Sequence, residues 1–324
     1  MSAKKVIKAI RQYRGFLISS HIDLEGDALG SELALASLLR KLGKRVAIVN
    51  SDAYPANYSF LPNIKSIKQN IKSDQFQAAL IIDCADKYRI GRIIELIGKE
   101  KPMINIDHHI GNTNFGQINW VEPQVSSAAE LVYRLFKLTR TKLDRGDALA
   151  IYTAILTDTG GFRHCNTSSF TLQIASELLK FGLRPDEIYS KIYEGNLRQD
   201  VTLLAKLLKG MSFAASSQIA WVKIAPVELS RIKQRPEILD KILDLAKSIQ
   251  TVKVVVIFSQ NNFRRFKLSF RSKSPIDVQR IARRFGGGGH KYAAGCIMQG
   301  SFQQVKSTIL TAIKKSLDGR HSYR

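Results

Sequence analysis

A short apolar, β-prone run, Ile104-Asn105-Ile106, ends abruptly in Asp107-His108-His109. Side chains alternate faces along a strand, so such a triplet must direct ionisable groups both toward and away from a covered sheet face. Burying them without a partner is costly, and a bound cation is the least costly partner. Other element ends share the property. The strand-like run Gly15-Phe16-Leu17-Ile18-Ser19 feeds His21, with Glu25 and Asp27 just beyond it. Ala78 to Ile82 is apolar and closes on Asp83, and a helix-like run ends in Thr157-Asp158. Any one of these carboxylates is an ordinary cap or turn former. Four separate segments that deliver acids or imidazoles at element ends point to one constructed site.

The order of elements predicts where those ends meet. A strand over 15–19, a helix over 31–42 stopped at Gly43 and a strand over 45–50 make a βαβ unit, so the sheet is expected to be parallel. Gly30-Ser31 is expected at that helix's N-terminus, where free N–H groups favour anions. A weak helix over 64–71, a strand over 78–83, a helix over 91–99 and a strand over 103–107 follow, then helices over 126–137, 147–156 and 169–179. Ligands of parallel α/β sheets gather outside the carboxyl ends of the strands. Acids crowded there repel one another unless divalent cations neutralise them. Mixed imidazole and carboxylate ligation suits manganese, iron or zinc better than calcium. Two metals sharing one carboxylate is the simplest arrangement for this many groups, and it suits clamping the attacking and leaving oxygens of a phosphoryl displacement.

Past a charged helical stretch over 185–211 the pattern changes. Strands are expected over 218–224 and 251–258, and Gln260-Asn261-Asn262 turns the chain into a strand over 265–271. A helix over 276–285, the run Gly286-Gly287-Gly288-Gly289-His290, a strand over 295–298 and a helix over 305–317 complete the chain. Four consecutive glycines carry a large ordering entropy, which makes sense where backbone N–H groups approach a phosphate closely. The fold class expected is therefore α/β: a Rossmann-like N-terminal domain with a mostly parallel sheet (1–185), a helical connector (186–210) and a smaller α/β C-terminal domain with a mixed sheet (211–324).

Charge narrows the partners: 50 Lys+Arg against 27 Asp+Glu leaves +23, a field that attracts polyanions. Three well-separated cysteines without a CxxC pair fit a reducing compartment. The longest apolar run, Ala148 to Leu156, falls short of the ~18–20 residues of a membrane span. The N-terminus reads as a basic amphipathic helix, not a signal peptide. A cytoplasmic location with no membrane partner is the expectation. His164 and His321 are isolated imidazoles and are assigned no role.

These segments, in this order, resemble the DHH phosphoesterase superfamily, whose name the triplet at 107–109 spells, and within it the nanoRNase branch with a DHH-associated C-terminal domain. The resemblance covers nearly the whole chain: His21 to Ser31, Ile82-Asp83, Asp107-His108-His109, Asn119 to Glu130, Leu156 to Phe162, Ser269 to Lys273 and Phe285 to Gly295. It implies two divalent metal ions, with manganese expected. His21, Glu25 and Asp83 would hold the first, and Asp27, Asp83, His108 and Asp158 the second, Asp83 bridging. His109 would contact the phosphate or its leaving oxygen, not a metal. Arg271, Gly287, Gly288, Gly289 and His290 would form the substrate-binding face of the second domain, opposite the metals. The implied activity is hydrolysis of short single-stranded RNA or DNA oligomers to 5′-mononucleotides, with removal of the 3′-phosphate of 3′-phosphoadenosine 5′-phosphate. Cyclic di-AMP or pApA hydrolysis is the alternative within the chemistry, and a non-catalytic basic nucleic-acid binder the alternative outside it. A homodimer is left open. One departure stands out: Glu25 occupies a position where the family pattern usually has Asp, so the carboxylate reaches one methylene further.

Overall fold

The computed structural model describes residues 2–71, 76–195, 197–235, 237–262 and 264–318, without the side chains of 233, 234, 237, 262 and 290. The chain divides into two compact units, Met1–Gly195 and Asn196–Arg324.

The first unit runs α1 (Ser2–Gln12), β1 (Gly15–Ser19), α2 (Gly26–Lys41), β2 (Arg45–Ile48), β3 (Ala78–Ile82), α3 (Ile93–Ile97), β4 (Met103–Asp107), β5 (Ile118–Val121), α4 (Ala128–Thr139), α5 (Arg145–Asp158), α6 (Ser169–Leu179) and α7 (Pro185–Tyr193). Its five strands lie in the order β2-β1-β3-β4-β5, every pair parallel. Every residue of β1 and β3 is buried, which is why their sequences read as unbroken apolar runs. Phe16, Ile18, Leu80 and Ile82 pack into the larger core with α2, α4 and α5. Leu17, Ala79 and Ile81 pack on the other face with Ile93 and Ile97 of α3. The parallel order puts the carboxyl ends of the central strands on one edge.

Helix α2 starts earlier than the periodicity suggests. Its N-cap is Glu25, so Gly30 and Ser31 lie in its second turn and not at its N-terminus. The reason lies in packing. A Cβ on Gly30 would come within 2.3 Å of the Ala150 carbonyl oxygen of α5, and one on Gly26 within 2.4 Å of Thr157 Oγ1. Residues four apart share a helix face, so the two glycines form a flat strip on which α5 lies. The expected helix over 64–71 is a single 3₁₀ turn, Ile64–Ser66, and the one over 91–99 shrinks to Ile93–Ile97 between two left-handed glycines, Gly91 and Gly98. Strand β5 escaped the sequence reading because it is an edge strand with one buried side chain, Trp120.

The second unit runs α8 (Arg198–Lys209), β6 (Ser212–Ala214), β7 (Ile219–Ile224), α9 (Pro226–Gln234), α10 (Glu237–Ser248), β8 (Val254–Asn262), β9 (Arg265–Ser272), α11 (Val278–Arg283), β10 (Gly288–His290), β11 (Ala293–Gln299) and α12 (Phe302–Asp318). The sheet order is β10-β11-β9-β8-β7-β6, mixed because β7 and β8 pair parallel while the other pairs are antiparallel. The stretch expected to connect the domains, 186–210, is two helices belonging to different units. Ile188 and Ile192 of α7 are buried in the first core, whereas Leu207 of α8 is buried against β7 and β8. No described helix is long and apolar enough to cross a membrane.

The glycine strip yields a test. Alanine is the better helix former by ~1 kcal/mol, yet Gly30→Ala is expected to lower stability by about 1–3 kcal/mol through overpacking. Urea denaturation measures this, and a neutral or stabilising effect would refute the close approach of α2 to α5.

Candidate metal centre

Three adjacent strands and two helices contribute the polar cluster. His21 follows β1, Asp83 follows β3, and Asp107 closes β4 with His108 and His109 just beyond. Asp27 lies in the first turn of α2, and Asp158 is the last residue of α5. Candidate ligand atoms of His21, Glu25 and Asp83 lie within 4.8 Å of one another, as do those of Asp27, His108 and Asp158. Asp83 stands between the two groups. Its Oδ2 is 3.5 Å from His21 Nε2 and its Oδ1 is 3.4 Å from His108 Nε2. His108 Nε2 in turn lies 3.7 Å from Asp27 Oδ2 and 3.8 Å from Asp158 Oδ2.

Asp83 carries the signs of a constrained site. Its φ of 55° is left-handed, a conformation non-glycine residues adopt sparingly. It is 1% exposed, and neither carboxylate oxygen has a hydrogen-bond partner. An unsatisfied buried carboxylate is strongly disfavoured unless something with positive charge faces it. The acids and imidazoles gathered around Asp83 could therefore hold divalent metal ions.

Neighbouring groups fix the orientation of the others. His21 Nδ1 donates to the Ile22 carbonyl at 2.6 Å, which leaves Nε2 facing Asp83. Asp27 Oδ2 accepts from the Ala128 N–H at 2.7 Å, and Oδ1 accepts from the Ala129 N–H at 3.1 Å and Ser31 Oγ at 2.8 Å. The N-terminus of α4 is thus an anion seat filled by this chain's own aspartate. Asp107 accepts from His109 Nδ1 at 2.7 Å and from Asn112 Nδ2 at 2.6 Å, and a ligand atom of it also lies within 4.8 Å of those of Asp83, His108 and His109. Asn166 Nδ2 donates to Asp158 Oδ2 at 3.1 Å and to the Ser126 carbonyl at 2.8 Å, tying Asp158 to the approach to α4. Glu25 is exposed and its side chain makes no cap on α2.

Charge in the cluster is strongly redistributed. Burial works against charging His21, but Asp83 outweighs it and lifts the imidazole to about 9. His108 is likewise raised well above the usual imidazole range, burial being outweighed by Asp83, Asp158 and Asp27. Burial opposes ionisation of Asp83 too, yet the imidazoles hold it well below the ordinary carboxylate range. Burial and the nearby Asp83 push Asp27 far up. Burial, with the charges of Glu25 and Asp83, lifts Asp158 to about 7 against the pull of His108. Protons occupy the positions that cations would otherwise neutralise. Behind His21, fully buried Glu32 is pushed by burial to about 8, and its Oε2 accepts from Asn50 Nδ2 at 2.8 Å.

Sequence reasoning singled out the charged members and missed their supports, Asn112, Asn166, Ser31 and the α4 amides. Neutral amides and backbone N–H groups leave no charge signal in a sequence. His164, assigned no role, has Nδ1 3.4 Å from the Asp158 carbonyl.

The candidate substrate residues belong to the second unit. Ala293 pairs with Arg271 on one side and with His290 on the other, so the three share one row across β9, β11 and β10. Arg271 Nη2 lies 3.3 Å from Asp240 Oδ1. The His290 side chain and His321 lie outside the described residues. A Cβ on Gly287 would come within 2.1 Å of the Gly295 carbonyl oxygen, and one on Gly289 (φ +131°) within 2.5 Å of the Ala293 carbonyl oxygen. These two glycines are required by strand packing. Gly288 differs: a Cβ there would meet open space.

Residues 15–157 match the DHH family N-terminal domain and residues 223–318 match the DHHA1 domain. Together these matches span most of the chain, which thus carries a DHH family N-terminal domain and a DHHA1 domain. Its relatives include the bifunctional oligoribonuclease and PAP phosphatase NrnA of Thermus thermophilus, 29% identical over 97% of this chain and 93% of that protein. The Bacillus subtilis protein of the same name is 27% identical over 90% of this chain and 91% of its own length. Among solved structures, an exopolyphosphatase-related protein from Bacteroides fragilis has a TM-score of 0.87 at 25% identity, covering 98% of this chain and 96% of its own.

Protons held in place of cations predict the pH dependence of metal uptake. A ligating imidazole must be neutral, and His21 holds its proton up to about 9. Manganese affinity is therefore expected to rise with pH through neutrality and to level off near 9, with proton release at pH 7. Calorimetry in buffers of different ionisation enthalpy reads the released protons directly, and uptake without proton release would contradict the assignment. The linkage also runs through folding. His21 is raised from 6.5 to about 9, so its contribution is fully present below 6.5 and is lost as pH rises through 9. Melting of the metal-free protein is expected to shift downward across that window, and added manganese to reverse it.

Proposed function

We propose that this chain is a two-metal phosphodiesterase that hydrolyses short single-stranded oligonucleotides to 5′-mononucleotides and removes the 3′-phosphate of 3′-phosphoadenosine 5′-phosphate. The observation that carries the reading is Asp83, buried and without hydrogen bonds, with His21 on one oxygen and His108 on the other. His21, Glu25 and Asp83 are assigned to one cation and Asp27, Asp83, His108 and Asp158 to the other, with manganese as the metal. Such a pair supplies positive charge to the attacking and leaving oxygens of an in-line phosphoryl displacement. The names of the Thermus thermophilus and Bacillus subtilis relatives support the choice of substrates. The compartment is the cytoplasm, in keeping with three cysteines that remain thiols.

His109 supplies the protein's own proton. Asp107 accepts from Nδ1 and, with Asp83, outweighs burial to raise the imidazole above its ordinary range. That shift favours the imidazolium, which could donate from Nε2 to a phosphate or leaving oxygen. In the second unit, Arg271 would provide a planar fork for a phosphate, and Gly288 leaves a ligand room to approach the backbone without meeting a side chain. His290 is kept in this set as an expected phosphate donor.

Asp83→Asn is expected to abolish turnover while leaving a folded protein, because one substitution removes the carboxylate both groups share. Near-normal hydrolysis by that variant in manganese would overturn the two-metal reading. Arg271→Ala is expected to raise KM about 10–100-fold, the cost of one charged hydrogen-bonding partner, with metal content unchanged. Gly288→Ala should fold normally and lose substrate affinity, whereas Gly289→Ala should lose stability; the reverse order would mean the glycine run does not face a ligand. Turnover of pApA, longer oligomers, cyclic di-AMP and the bisphosphate nucleotide in manganese ranks the substrates. Oligomers bound yet intact after prolonged incubation would leave a binding protein.

A further inference from the structure

We propose that one face of β9 is a phosphate rail, Arg265, Lys267 and Arg271, that grips the backbone of a single-stranded oligonucleotide beyond its terminal nucleotide. The inference rests on the proposed function for the identity of the substrate and adds to it a preference in length.

The strand alternates strictly. Phe266, Leu268 and Phe270 are buried in the core that also contains Val305, Ile309 and Ile313 of α12. Arg265, Lys267, Ser269 and Arg271 therefore share the opposite face, the first two exposed and the last two half-buried. β9 pairs antiparallel on both sides, an arrangement in which one face can stay open to solvent while the other packs on the core. Here the cover stops short. Val255 and Ile257 of β8 are buried with α9 and α10, but opposite Lys267 on β11 the side chain of Ile297 is 50% exposed. Opposite Ser269 and Arg271 stand Gly295 and Ala293, which leave little bulk above the sheet.

The charged side chains that β9 itself places on this face are all positive. Arg271 has Asp240 at 3.3 Å, while Arg265 and Lys267 have no ion-pair partner among the described residues. Alternate residues of a strand repeat about every 7 Å, the scale on which consecutive phosphates follow one another along an extended nucleic-acid strand. Arg265 and Lys267 stand one such interval apart and Lys267 and Arg271 two, with uncharged Ser269 between them. A row of cations so spaced, over a floor of small residues with one exposed apolar side chain, complements a polyanion that is narrow, extended and partly apolar. Single-stranded nucleic acid has those properties, and a duplex is too wide for a single strand's face. Arg265 and Lys267 sit where they would meet the phosphates that follow the one at Arg271.

Fluorescence anisotropy on the full chain without added divalent metal tests the rail apart from turnover. The probes are a 5′-phosphorylated dinucleotide and a pentanucleotide sharing its 5′ end. The pentanucleotide is expected to bind about tenfold more tightly, the scale of two phosphate contacts on an exposed surface. The double variant R265Q/K267Q should bring that ratio toward one and reduce the log–log salt slope for the pentanucleotide by about 1.4, or about 0.7 per phosphate. Equal affinity for both lengths in the wild type overturns the proposal, as does a ratio that survives in the double variant. Rail-dependent binding of an oligomer that is never hydrolysed in manganese would sink the enzymatic reading and leave the rail standing.

Discussion

A carboxylate buried without hydrogen bonds is the constraint around which the first unit is organised. Asp83 sits at the end of the central strand β3, in a left-handed backbone conformation, with both oxygens shielded from water. Such a group is tolerable only where positive charge faces it from more than one side. The parallel order β1-β3-β4 meets that demand, bringing His21 from one neighbouring strand and His108 from the other. Without bound cations the same cluster must share protons, which is why its imidazoles are raised while Asp27 and Asp158 resist ionisation.

Around this centre the fold uses neutral groups to hold charged ones. Two amides of α4 grip Asp27, Asn112 and His109 share Asp107, and Asn166 links Asp158 to Ser126. Charge-assisted bonds from fixed donors orient a carboxylate more strictly than a second ionised side chain would. The glycines divide along similar lines. Gly26 and Gly30 let two helices touch and Gly287 and Gly289 let two strands touch, whereas a Cβ on Gly286 or Gly288 would meet open space.

Much of the architecture was legible in advance because its signals are local. Long apolar runs closing on charged residues marked β1, β3 and β4, an amphipathic period marked α4 and α6, and a continuous apolar run marked α5. The misreadings have local causes as well. Gly30 looked like a helix start because a glycine costs helix stability wherever it is read without its neighbours. The single buried residue of β5 left too little periodicity to see, and while 186–210 read as helical, only the packing shows that the apolar residues of its two helices choose different cores.

The amino-acid sequence by itself determined which chemistry was possible: acids and imidazoles at element ends, an arginine before a glycine run, and an excess of positive charge. Tertiary structure decided which of those atoms meet. Asp107 and His108 are adjacent in the chain, yet Asp107 turns to brace His109 while His108 faces Asp83. Glu25 stays exposed, whereas Asp27, two residues on, is buried against the N-terminus of α4. The alternation of a strand and the turn of a helix fix the direction of each side chain, but what it meets there depends on segments a hundred residues away. That long-range pairing is what no local reading contains.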